Sequence, residues 1–179
     1  LEFRRVLFRS RAGYERLLGR IRDRIPGVTM RTTFIVGFPG ENEEDFEALH
    51  GFIRTVEFDH VGVFTYSHEE GTSAFALADD VPAATKRKRR DRLMRTQRTI
   101  VERRQQARLG HTVQLMVDGP ASDHELVLRG RLAGQAPDID PLVYLTDCDP
   151  SAYTAGDLIT AEIVGSHEYD LIARPTTEP

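Results

Sequence analysis

The sequence predicts an α/β segment followed by a small all-β unit. Three observations predict it. A β-prone run, Thr32 to Val36, meets the turn Gly37-Phe38-Pro39-Gly40 and then a helix start at Asn42. A second β run, His60 to Ser67, follows after about thirty residues, the size of one βαβ unit. After Gly110 the helical texture gives way to five short alternating or β-branched runs separated by turn residues, which reads as a small antiparallel barrel.

In chain order, Leu1 to Ser10 (LEFRRVLFRS) fits nothing downstream and reads as a non-native scar, with a native N-terminal helix as the alternative. It is too short and too interrupted for a secretory leader. With no long apolar run in the chain, a cytoplasmic location and no membrane contact are expected. Tyr14, Leu17, Leu18, Ile21 and Ile25 recur at helical spacing, and Pro26-Gly27 stops that helix. Val28 to Val36 reads as a strand. Asn42 is the predicted N-cap of the next helix, and Glu43, Glu44 and Asp45 suit the positive end of its dipole. Phe46, Leu49, Phe52, Ile53 and Val56 give it one apolar face. His60 to Ser67 is apolar on both faces around its middle, which predicts a buried parallel strand. Pro82 opens a long helix from Ala83 to near Leu109, stopped by Gly110, with Leu93, Met94, Ile100 and Val101 as a narrow apolar stripe. Strands are then predicted over Thr112 to Val117, Glu125 to Arg129, Leu142 to Thr146, Leu158 to Val164 and Tyr169 to Ala173. The parts are thus 11–80, a connecting helix 81–110, and 111–179. Two parallel strands cannot close a barrel or bury both edges, so the first part has the texture of the end of a larger α/β domain.

Charge separates the parts further. The formal net charge is −4. From Lys86 to Arg108, however, eleven bases face two acids, and from His111 to the end three bases face twelve acids. The basic run Lys86 to Arg92 is a candidate RNA contact or a solvated helix face. The acidic unit has no lysine, and Tyr144, Tyr153 and Tyr169 are its aromatics. Such a surface repels phosphate and attracts a basic protein, the alternative being that the acids serve solubility. Cys148 is the one cysteine, which excludes a disulfide framework or a cysteine metal cluster within this chain. Its neighbours Asp147 and Asp149 disfavour the thiolate. His60, His68, Glu69 and Glu70 lack the spacing of a metal site, and no Lys-Ser/Thr follows Gly40 to make a nucleotide P-loop.

The stretches TTFIVGFPGENEEDF and FDHVGVFTYSHEEGT, the Lys/Arg-rich helix, QAPDIDPLVYL and a closing EYDLIA resemble radical S-adenosylmethionine (SAM) methylthiotransferases, closest to the RimO group. The resemblance runs from Arg11 to Ala173. It implies that 11–80 is the C-terminal part of a radical SAM TIM-type barrel, and 111–179 a TRAM-like five-stranded antiparallel β-barrel that recognises substrate. It also implies an enzyme that cleaves SAM reductively and inserts a methylthio group at the β-carbon of an aspartate in a small-subunit ribosomal protein. Matching the family's fifth and sixth barrel strands makes Ile35, Val36, Gly37, Phe38, Gly40, Glu41, Val63 and Phe64 the implied cofactor-binding set, with no catalytic residue. Four positions separate Gly37 from Glu41, where the general radical SAM pattern has three. Glu69 and Glu70 at the barrel mouth, with Asp138 and Asp140 on the acidic unit, are the implied contacts to a basic ribosomal protein. The two 4Fe–4S clusters of the family need cysteines this chain lacks, so the chain alone is expected to be inactive. The alternatives are a methylthiotransferase acting on transfer RNA through an RNA-binding TRAM domain, and a non-catalytic interaction module.

Overall fold

The computed structural model describes residues 11–121 and 124–176, so the proposed scar at 1–10 lies outside the described residues. Two compact units divide between Gln97 and Arg98, inside one helix.

The first unit holds α1 (Arg11–Arg24), β1 (Arg31–Val36), α2 (Glu43–Val56), β2 (His60–Thr65), a 3-10 turn Ser73–Ala76 and the first part of α3 (Ala83–Gln106). β1 and β2 pair in parallel, from Arg31 opposite His60 to Val36 opposite Thr65. α2 between them starts with a capping box: Asn42 Oδ1 accepts from the Asp45 amide at 2.9 Å, and Asp45 Oδ2 accepts from the Asn42 amide at 3.1 Å. One face of the sheet is packed. Phe34 meets Phe52 and Phe58 edge-on, and Val36 and Val63 are buried. The other face is open: the register partners Ile35 and Phe64 are 58% and 62% exposed. The expected strand buried on both sides is therefore half right. The pairing is parallel, but the described sheet has two strands with helices on one side.

α3 departs from its expected narrow stripe. Leu93 and Ile100 are buried, as the apolar pattern requires, but so are Lys86, Arg89, Gln97 and Gln105. Gln97 Nε2 donates to the Phe58 and Asp59 carbonyls at 3.0 and 3.4 Å. Polar side chains thus extend the buried seam beyond its apolar members.

The second unit contains β3 (Thr112–Ala121), β4 (His124–Leu132), β5 (Val143–Leu145), a 3-10 turn Pro150–Ala152, β6 (Leu158–His167) and β7 (Asp170–Pro175). Every predicted strand is present. They close in the order β3-β4-β5-β7-β6, with β3 returning to β6. Leu115, Val117, Leu128, Val143, Leu145, Ala161, Ile163, Leu171 and Ala173 fill the interior. The expectation of a wholly antiparallel ring is corrected: β5 and β7 run parallel. Parity requires it, because an odd number of strands in a closed ring cannot alternate in direction all the way round.

Closure also demands close backbone approach. A β-carbon on Gly130 would lie 2.6 Å from the Met116 carbonyl oxygen and 2.8 Å from a Leu115 methyl. The Gly130→Ala variant of the chain is expected to lose about 1–3 kcal/mol in urea unfolding of the strand ring, followed by circular dichroism. Wild-type stability would show that the ring relaxes there at no cost.

Candidate functional site

Parallel α/β sheets bind ligands beyond the carboxyl ends of their strands. At that end of β1 lies the turn Gly37 to Glu41, with left-handed backbone at Gly37 (φ 74°) and Gly40 (φ 82°). Three of its amides are engaged. The Glu41 amide donates to the Phe38 carbonyl at 2.9 Å. Glu41 Oε1 reaches back to accept from the Gly37 amide at 2.9 Å, and the Gly40 amide donates to Asp80 Oδ1 at 2.9 Å.

α3 closes on this turn. Arg89 Nη1 donates to Glu41 Oε1 at 2.7 Å and to the Glu41 carbonyl at 3.1 Å, while Nη2 reaches Glu43 at 3.3 Å. Lys86 lays its methylene stem over Gly37, so that a β-carbon there would sit 2.3 Å from Lys86 Cγ. Its ammonium bonds Asp79 and the Tyr66 carbonyl and lies 5.0 Å from the Tyr66 ring centre. Beyond β2, Tyr66 meets Phe38 at 5.2 Å between ring centres, and His68 lies tilted against Phe75 at 4.6 Å. The carboxyl end of the sheet is thus a pinned glycine turn beside an aromatic cluster.

The expected cofactor-binding residues divide between two faces. Ile35 and Phe64 stand together on the open face, and Phe38, 44% exposed, lies in the turn beyond it. Strand alternation sends the Val36 and Val63 side chains into the packed core, so they supply backbone but no apolar wall. Glu41 is held by the Gly37 amide and Arg89. Glu69 and Glu70 are exposed in the loop after β2, where Ser67 Oγ donates to Glu69 at 2.6 Å.

Two expectations need correction. Asp140 is buried and accepts from the Ala136 amide at 2.7 Å, so it caps its own loop instead of presenting charge; Asp138 beside it is exposed. The basic run does not offer its whole length to RNA. Lys86 and Arg89 are buried, Arg92 pairs with Glu47, and Arg90 with Asp91 at 2.8 Å, while Arg87 and Lys88 remain exposed. Several acids of the strand ring also have local tasks. Glu162 pairs with Arg174 at 2.9 Å, Asp118 pairs with Arg131, Asp170 accepts from the Leu142 amide at 2.7 Å, and Asp157 from the Thr154 amide at 2.7 Å. Hydrogen bonds from the Ser151 hydroxyl and amide hold the Asp149 carboxyl below its ordinary range.

The exposed apolar pair beside the glycine turn suits an adenosine-bearing cofactor, whereas the one cysteine of the sequence cannot supply the thiolates of an iron–sulfur cluster. The single cysteine packs against the core of the strand ring, and no group of three metal-binding side chains occurs among the described residues. No described helix is long and apolar enough to cross a membrane.

Residues 109–175 match the TRAM domain family. The chain is 50% identical over 158 residues to the ribosomal protein uS12 methylthiotransferase RimO of Anaeromyxobacter sp. (strain K), covering 88% of this chain and 33% of that protein. It is 45% identical over 163 residues to the protein of the same name from Myxococcus xanthus (strain DK1622), covering 91% and 34%. Against that of Symbiobacterium thermophilum the figures are 42% over 167 residues, 93% and 34%. Over nearly its whole described length the chain is similar to these RimO methylthiotransferases. It spans about a third of the length of these relatives.

Sequence reasoning missed the part played by Lys86 and Arg89. The signal was present: 86, 89, 93, 97 and 100 share one helical register, and only the charge of the first two disguised it. The assignment of Cys148 as a poor nucleophile agrees with its surroundings. Burial pushes the thiol up, and Asp147 and Asp149 push it further. At neutral pH, Cys148 in the folded chain is expected to react with iodoacetamide at least about tenfold more slowly than free cysteine, because less thiolate is present. Mass-spectrometric alkylation rates test this, and a rate equal to free cysteine would contradict it.

Proposed function

We propose that the chain is the C-terminal segment of a ribosomal-protein aspartate methylthiotransferase. In this proposal, 11–80 forms the last βα units of a radical SAM barrel, and the acidic unit recognises the basic substrate protein. The carrying observation is the exposed pair Ile35 and Phe64, neighbours on the uncovered sheet face just before the Gly37 turn. An apolar sheet face left open beside a glycine turn is what a barrel interior with a bound adenosine would occupy. The 4Fe–4S clusters would be held by the rest of the enzyme.

The residues of this chain would bind and orient. Ile35 and Phe64 would pack the adenine, and the exposed Phe38 of the turn would line its edge. When bound, SAM supplies the radical chemistry at the substrate's β-carbon. Phe38, Tyr66, His68 and Phe75 would shield the site from water, and Glu69 and Glu70 would meet cationic side chains around the aspartate. Asp138, exposed on the strand-ring unit, would add to the attraction for a basic protein.

In the full-length enzyme carrying this segment, Ile35→Asp is expected to weaken SAM binding at least about tenfold in equilibrium dialysis, because a carboxylate replaces an apolar wall. Unchanged affinity removes the pocket assignment. Purified uS12 is expected to bind the chain with an affinity that falls as salt rises, and Asp138→Asn to weaken it about two- to fivefold. Tighter binding to transfer RNA than to uS12 would favour the RNA-modifying alternative.

A further inference from the structure

We infer that Lys86 and Arg89, on the helix that leaves the first unit, are positioning residues for the SAM pocket: they hold the Gly37 to Glu41 turn in its binding shape. The inference rests on the proposal that this turn lines the pocket.

Burial comes first. Lys86 and Arg89 are 5% and 6% exposed, which charged side chains almost never are unless paired. Stability alone does not call for them. The Nε atom of Arg89 is buried without a partner, and an apolar side chain of similar volume commonly serves a core as well or better than a buried ion pair. What an arginine adds is directed geometry.

That geometry converges on one oxygen. Glu41 Oε1 accepts both the Gly37 amide at 2.9 Å and Arg89 Nη1 at 2.7 Å. The same Arg89 nitrogen donates to the Glu41 carbonyl at 3.1 Å. One guanidinium therefore fixes the last residue of the turn through both its side chain and its backbone, and that carboxylate fixes the first. Lys86 acts from above. Its Cβ, Cγ and Cδ lie 3.2, 2.3 and 2.9 Å from where a side chain at 37 would begin, so its stem fills the space the glycine leaves. Asp80 secures the Gly40 amide from the segment just before the helix. The Gly37, Gly40 and Glu41 amides are all engaged before any ligand arrives, which is preorganisation. Arg92, one turn further on, pairs with the exposed Glu47 and, at 3.8 Å, with the Glu43 carboxylate that Arg89 also reaches, but with neither Gly37 nor Glu41, so it serves as a control for loss of a cation on this helix.

The test uses the reconstituted full-length enzyme with Arg89→Met, Arg89→Lys, Lys86→Met and Arg92→Met. Arg89→Met is expected to raise the SAM dissociation constant and KM by about tenfold while kcat stays within about twofold. Arg89→Lys should recover part of the loss, and Lys86→Met should weaken SAM binding in the same direction. Arg92→Met should stay within about twofold of wild type. Faster amide exchange across Gly37 to Glu41 in Arg89→Met should accompany the loss. A merely structural role would lower the folded fraction without splitting KM from kcat. Should Arg89→Met not fold, Glu41→Gln removes the charge pair with little change of shape and carries the same expectation. Wild-type SAM affinity in the folded Arg89 or Glu41 variant overturns the inference. An Ile35→Asp enzyme with normal SAM affinity overturns the pocket proposal instead, so the two failures are distinguishable.

Discussion

A guanidinium shut away from water must find a carboxylate, and in the first unit Arg89 finds Glu41. The pair lies 8% and 13% exposed on its two side chains, far drier than Arg92 with Glu47 one helical turn away. Arg89 and Arg92 both lie about equally over the Phe46 ring, at 5.4 and 5.3 Å, so packing alone does not distinguish them. What distinguishes Arg89 is that its partner carboxylate also closes the glycine turn. A helix that looks like a solvated connector is thereby built into the carboxyl end of the sheet, where α/β folds put their ligands.

The same economy of polar groups governs the second unit. Five strands close into a ring, and an odd ring must include a parallel pair, which falls on the three-residue β5. Short β5 leaves long connections on either side, and acids tie those connections down. Asp140 caps its loop, Asp149 caps the 3-10 turn, and Asp170 holds the Leu142 amide. An acidic composition here is in part the composition of well-capped loops, and of the two substrate contacts expected on this unit Asp138 is the exposed one.

Local chemistry was legible in the sequence where one signal dominates. The N-cap at Asn42, the turn at Gly37 to Gly40, and each strand after Gly110 follow from residue type and spacing. Tertiary consequences were less legible. Apolar residues on both faces of β2 suggested double burial, yet whether Phe64 is covered depends on chain that a two-strand sheet does not supply. Charge at 86 and 89 suggested solvent, because a periodicity counted on apolar residues alone skips a buried cation whose partner lies 48 positions away. Asp140 reads as a surface acid because sequence does not reveal which acid of a loop turns inward.

The most direct measurement is a double-mutant cycle of Arg89→Met and Glu41→Gln on the stability of the first unit, followed by hydrogen exchange of buried α2 amides. A turn held by this pair predicts a coupling energy of about 2 kcal/mol, with the Gly37 amide losing protection in each single variant. A coupling below about 0.5 kcal/mol, as for an exposed ion pair, with the Gly37 amide unaffected, would contradict it.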